Sequence, residues 1–177
     1  MNLYGRFVLF LFSALFSKRR FDPFVPVKLH FRVWPHDIDV NFHLTAARYF
    51  SFGDFGRLHW LTQNGLLRRF FRSGYRGVLN AQEITYIREF LPFSRVDVEV
   101  SLVCWDEKYG YFEQRFYHQG KLYAISHARM AMLYQGSVLS FAETFKRFGL
   151  SAENRPESEA IADWKATLKA KRDHFKQ

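Results

Sequence analysis

The chain has 177 residues, enough for one domain with a full core and too few for two domains of ordinary size. Hydrophobic residues make up 48% and aromatic residues 19%, Phe alone contributing 21, which excludes disorder across the middle of the chain and leaves aromatic surface for a partner or pocket. The formal charge of +9 favours anionic partners, but the basic residues are scattered and come with no zinc-finger spacing, RNP-like motif or helix-turn-helix pattern, so nucleic acid is not expected among them.

Residues 7–16 (FVLFLFSALF) lie between Arg6 and the cluster Lys18, Arg19, Arg20. That run is about half the length a bilayer-spanning helix needs, and no small-residue cleavage site of a signal peptide follows it. Two readings stand: an apolar helix packed on the domain or on a partner, or an in-plane anchor giving peripheral membrane contact through residues 1–20, with the basic cluster at the headgroups. The single cysteine, Cys104, excludes an internal disulfide and fits a reducing compartment such as the cytoplasm. Its alternating segment makes buried packing the expected role, not nucleophilic chemistry.

Residues 28–34 alternate polar and apolar, the period of a half-buried strand that Pro35 ends. From Thr45 to about Leu61, small and apolar residues recur at three- and four-residue steps, and Phe52, Phe55 and Leu58 add a second apolar row. A helix apolar on most sides is one surrounded by protein. Strands are expected over residues 77–89, 96–102, 111–118, 121–134 and 138–142, with Gln119-Gly120 as a two-residue hairpin turn. Beyond Ser151 the chain reads as a charged, solvated helix. The order predicts an α+β fold in which an antiparallel β-sheet wraps around one long central α-helix. Residues 1–26 then form an N-terminal apolar and basic helical segment, 27–150 the domain, and 151–177 a charged C-terminal helical tail.

Residues 37–49 read DIDVNFHLTAARY, two carboxylates, an amide and an imidazole immediately before the apolar helix. The start of such a helix supplies unpaired backbone N–H groups and the positive end of the macrodipole, where a developing oxyanion is stabilised. Leu44, Thr45 and Ala46 stand at that position. Read from the residues alone, Asp39 and Asn41 make Asx-turns and His43 bonds the backbone in a structural loop. Read as metal ligands, His36, Asp37, Asp39 and His43 match no familiar spacing, so no metal and no cofactor are expected.

The segment resembles the hotdog-fold thioesterases of the 4-hydroxybenzoyl-CoA type. The letters that carry the resemblance are Asp37, Asp39, Asn41, His43, Ala47, Arg48, Tyr49, Asp54, Phe55 and Arg57, with a second element in LPFSRVDVEVSLVCWDEKYGYFEQRF, residues 91–116. The chain departs from the family at Thr45-Ala46, where Asn-Asn is common. The resemblance implies a hotdog fold and hydrolysis of the thioester of an acyl-CoA or acyl carrier protein, a role in lipid metabolism. It assigns Asp39 as the catalytic carboxylate, either base or nucleophile, with Asn41 and His43 beside it. An apolar slot for the acyl chain is expected from Tyr49, Phe50, Phe52 and Trp60. Asp54 and Glu89 are secondary candidates; Asp54 pairs with Arg57 at i+3 in the blander account, and Glu89 is a strand-end charge. Hotdog domains pair edge to edge, which implies a homodimer or a dimer of dimers. The alternative is a binder of acyl-CoA or lipid that kept the pocket without the chemistry, a reading that Thr45-Ala46 favours.

Overall fold

The computed structural model describes residues 4–8, 10, 22–150 and 153–174. Its elements are β1 (Val27–Arg32), a 3-10 turn (Pro35–Asp37), α1 (Ala46–Gln63), α2 (Leu67–Arg72), β2 (Tyr75–Tyr86), β3 (Arg95–Trp105), β4 (Tyr109–His118), β5 (Lys121–Tyr134), β6 (Ser137–Leu139), α3 (Phe141–Phe148) and α4 (Glu159–His174). The strands form one antiparallel sheet in the order β1-β3-β4-β5-β2, with β6 paired to β5. The sheet curls around α1, which is the α+β hotdog architecture.

Why α1 sits inside is legible in its side chains. Tyr49, Phe52, Phe55 and Trp60 are all buried, and a helix buried on several sides needs close approach as well as apolar surface. Gly53 and Gly56 supply it, since a Cβ at the first would collide with the Gln114 amide on β4 and at the second with Val100 on β3. Phe31 stacks on Phe52 with ring centroids 4.3 Å apart, tying β1 to the helix.

The β4–β5 hairpin turns at Gln119 and Gly120, with φ of 49° and 75°. Two consecutive positive φ values are the signature of the type I′ turn, whose twist matches that of the strands. By contrast, β2 and β3 are consecutive in sequence but not neighbours: β2 pairs with β5, from Tyr75 opposite Tyr134 to Tyr86 opposite Ala124. The chain crosses the sheet between them, so β2 is an outer edge.

Two helices lie outside the elements expected from sequence. The short α2 precedes Gly74. The segment given to a strand over residues 138–142 divides instead into β6 and α3, because Ser140 caps the helix by accepting from the Glu143 N–H at 3.2 Å and Gly149, at φ 69°, closes it. Phe141, Phe145 and Phe148 of α3 are buried and shut one end of the core.

The C-terminal helix α4 is not solvated all round. Ile161 and Trp164 are buried against Cys104 and Tyr111 on the outer face of the sheet. At the other terminus, Phe7 and Phe10 pack on Phe55 at 6.5 and 6.0 Å between ring centroids. The rest of the apolar run, residues 9 and 11–16, and the basic cluster at 18–20 lie outside the described residues.

Candidate active site

The loop between the 3-10 turn and α1 is built on a buried carboxylate. Asp37 is fully buried. Its Oδ2 accepts from the Trp34 N–H at 2.9 Å and from Arg6 Nη2 at 2.5 Å, and its Oδ1 lies 2.9 Å from Arg48 Nε. Two guanidinium groups and an amide hold one carboxylate there. The Asp37 carbonyl also accepts the Thr45 N–H at 2.9 Å, so this residue fixes where α1 begins. Asp37 is therefore an anchor, its carboxylate already committed.

Asp39 is different in kind. It is exposed, and its Oδ1 accepts from the backbone N–H of Asn41 at 2.9 Å and of His43 at 3.4 Å. The loop is closed by the Asp39 N–H donating to the His43 carbonyl at 2.9 Å, and by Phe42 taking φ 62°. This is the Asx-turn that the residues alone predict. It also orients the carboxylate by one oxygen, leaving Oδ2 uncommitted among the described residues.

His43 turns toward the chain between β2 and β3, its Nε2 3.1 Å from Glu89 Oε2. The secondary candidate Glu89 is thus brought to the loop, next to His43. Tyr49 lies behind them, in ring contact with Tyr86, Phe90 and Phe116. Burial, with Tyr86, Glu89 and Asp39 nearby, pushes its hydroxyl up to about 12, so it stays a neutral donor.

The amides at the helix start are partly spent. The Leu44 N–H donates to the Phe90 carbonyl at 2.9 Å and the Thr45 N–H to that of Asp37, so neither is free for an oxyanion. Among the described residues, the N–H groups of Ala46 and Ala47 meet no backbone acceptor. Thr45 is the N-cap, yet its hydroxyl makes no capping bond.

Of the residues expected to form the acyl slot, Tyr49 and Phe52 are packing residues in this structure, while Trp60 packs in the core and also lines an enclosed space of about 30 Å³. Tyr49, Phe52 and Trp60 are buried in the main core, Trp60 donating its indole N–H to the Pro23 carbonyl at 2.7 Å; Phe50 is half-buried. The open cavity lies further along α1. It has about 660 Å³, lies between α1, α2 and the start of β2, and is lined by Leu58, Leu61, Phe70, Leu79 and Met130. Asp54 and Arg57 also line it and are paired with each other. Arg57 is 5% exposed; burial pulls its pKa below the ordinary guanidinium range while Asp54 opposes the shift. Sequence reasoning missed this cavity because α2 closes it. The D-F-x-R spacing that places Asp54 and Arg57 one turn apart was the available signal.

Among the described residues no helix is long and apolar enough to cross a membrane. Residues 33–157 match the family model of the thioesterase-like superfamily. Among curated relatives, Protein THEM6 of Xenopus laevis is 36% identical over 84 residues, 48% of this chain and 41% of that protein. Protein THEM6 of Drosophila melanogaster is 26% identical over 117 residues, 66% of this chain and 61% of that protein. The match therefore spans about two fifths to three fifths of those relatives. Among solved structures, a probable thioesterase from Bartonella henselae superposes with a TM-score of 0.61 at 19% identity, covering 66% of this chain and 99% of that one. A DHNA-CoA thioesterase from Staphylococcus aureus gives 0.63 at 10% identity, covering 82% and 94%. With most of its length matched by the family model and its sheet curled around α1, the chain belongs to the thioesterase-like superfamily.

Proposed function

We propose that the protein is an acyl-CoA thioesterase-like hydrolase in which Asp39 promotes attack on the thioester carbon. The observation that carries this is the exposed Asp39 carboxylate, held by one oxygen in the loop that enters α1, beside the unpaired amides of Ala46 and Ala47. In the general-base route, Asp39 takes a proton from water as the water oxygen bonds to the carbonyl carbon. The oxyanion forms against the helix amides, the C–S bond breaks, and the thiolate takes up a proton from His43, whose Nε2 lies 3.1 Å from Glu89 Oε2. In the nucleophilic route the Asp39 carboxylate attacks the carbonyl carbon, the C–S bond breaks to release the thiolate and leave a mixed anhydride, and water opens that anhydride to the free acid and the Asp39 carboxylate. Asn41 orients the water or the carbonyl.

The same reading makes the protein a homodimer. β2 is twelve residues long and forms an outer edge, with Val78, Leu79 and Tyr86 exposed. An unpaired edge of this length is a template for a second copy. Antiparallel pairing would set the start of β2 in one protomer against its end in the other, bringing the cavity of one toward the Asp39 loop of its partner. The excess positive charge suits the phosphates of coenzyme A or an acidic carrier protein. The thioesterase names of the solved structures support the reading as an analogy between folds.

The spent amides of Leu44 and Thr45 favour a second reading, a protein that binds acyl-CoA or lipid without hydrolysing it. Hydrolysis of an acyl-CoA series by the purified protein separates the two. Turnover at some chain length supports the hydrolase; saturable binding with no turnover at any length supports the binder.

A further inference from the structure

A cavity of about 300 Å³ opens on the outer face of the sheet, between the C-terminal half of α4 and the β3–β4 turn. Residues adjacent on a strand face opposite sides, so Arg129 of β5 lines this cavity while Met130, next to it, lines the one against α1. Helical spacing supplies the rest. Lys165, Lys169 and Arg172, at steps of four and three residues, share one face of α4 and line the same space. Ile161 and Trp164, buried against Cys104 and Tyr111, set the rotation of the helix that brings this basic face over the strands. Arg129 is held in place from two sides: its Nε and Nη2 both donate to Asn80 Oδ1, the first at 2.9 Å, and its Cζ lies 4.5 Å from the centre of the Tyr109 ring.

The charged walls are four cations and one carboxylate. That carboxylate is engaged: Asp106 Oδ1 accepts the N–H groups of Lys108 and Tyr109 at 2.9 and 2.7 Å, and its Oδ2 the Tyr111 hydroxyl at 2.7 Å. Lys165 has Glu157 at 2.7 Å and Arg172 has Asp173 at 3.7 Å, but Arg129 and Lys169 meet no carboxylate among the described residues. Lys169 is exposed and Arg129 half-buried, so both charges are within reach of solvent and of a ligand. Two cations without counter-charge around one cavity favour a doubly charged anion there. A phosphate monoester carries close to two negative charges at neutral pH, with three strong acceptor oxygens that can meet donors from a strand and a helix at once. We infer that this cavity binds a phosphate monoester, its phosphate between Arg129 and Lys169 and its organic part along Tyr109 and Leu168. The sheet stands between this cavity and α1, so the assignment is independent of the hydrolysis proposed at Asp39. The monoester is either a soluble organic phosphate or the headgroup of a lipid such as phosphatidic acid.

Calorimetric titration of the full chain with phenyl phosphate and with benzenesulfonate tests it, because the two share a ring and differ in charge. Phenyl phosphate is expected to bind about tenfold more tightly, the order of one further charge-assisted hydrogen bond. Arg129→Gln and Lys169→Glu are each expected to weaken phenyl phosphate by about tenfold or more. Lys121→Glu, the same charge change at the far end of β5, is expected to leave it unaltered. Should Arg129→Gln not fold, Lys169→Glu decides, since that position is exposed. Equal affinities for the two anions, no binding of phenyl phosphate, undiminished binding in Lys169→Glu, or an equal loss in Lys121→Glu overturns the proposal. Cosedimentation with phosphatidylcholine vesicles that hold phosphatidic acid or phosphatidylglycerol, at matched surface charge, then assigns the source. Retention that favours phosphatidic acid and is lost in Lys169→Glu places the phosphate on a lipid; phenyl phosphate binding without that preference assigns it to a soluble ester.

Discussion

His43 Nε2 lies 3.1 Å from Glu89 Oε2, joining the loop that enters α1 to the chain that leaves β2. Neither residue is near the other in sequence, and the contact places an acid–base pair beside Asp39. Glu89→Gln keeps the shape and removes the carboxylate that holds the His43 ring. Its expected effect is a fall in kcat of several-fold, smaller than the roughly 10²–10⁴-fold typical of losing a positioned acid–base group itself. Steady-state kinetics on the best acyl-CoA checks this, an unchanged kcat removing Glu89 from the mechanism.

Asp37 is expected to matter for stability before it matters for chemistry. Asp37→Ala leaves Arg6 and Arg48 facing a buried site with no counter-charge, and breaking a buried pair from one side costs about 3–5 kcal/mol. Urea unfolding measures it. A loss below 1 kcal/mol would mean the carboxylate does not organise the loop.

The outer face of the sheet carries a pH-dependent element. His127 lies between Glu83 at 3.0 Å and Glu113 at 3.4 Å, with Trp164 of α4 alongside. Burial alone lowers the imidazole pKa, but the hydrogen bonds to Glu113 and Glu83 outweigh it and the net shift is upward. A group raised on folding stabilises fully below its unfolded value, about 6.5, and that contribution is lost as pH rises through the folded value. The urea midpoint should therefore fall as pH rises from about 6.5, and His127→Gln should flatten that part of the profile. A wild-type midpoint that rises over the same interval would contradict the assignment.

Cys104 is buried beneath α4, and burial pushes its thiol up to about 11. It should resist thiol reagents in the native protein. Trp164→Ala removes the indole that packs over this region and is expected to cost about 3–5 kcal/mol while speeding labelling. Fast labelling of the wild type would show that α4 does not cover it.

Much of the fold was legible because it is local. The apolar rows of α1, the Gln119-Gly120 turn, and the Ser140 N-cap and Gly149 C-cap of α3, which the expected strand over residues 138–142 leaves out, all depend on neighbours a few residues away. The position of β2 was not legible, since its pairing with β5 joins segments some fifty residues apart. For the site, the carboxylate loop was visible as a motif, while the separation of Asp37 as anchor from Asp39 as free carboxylate needed Arg6 from a distant segment. Apolarity marked Tyr49, Phe52 and Trp60 of α1 as residues withdrawn from water, but it could not distinguish filling the core from lining a cavity.

The proposed hydrolysis depends on Asp39. Comparing Asp39→Asn with the wild type under single-turnover conditions, on whichever acyl-CoA the wild type hydrolyses fastest, tests it most directly. Hydrolysis should slow by about 10²–10⁴-fold with substrate affinity within a few-fold of wild type. Undiminished hydrolysis by the amide variant would show that the thioester is broken without this carboxylate.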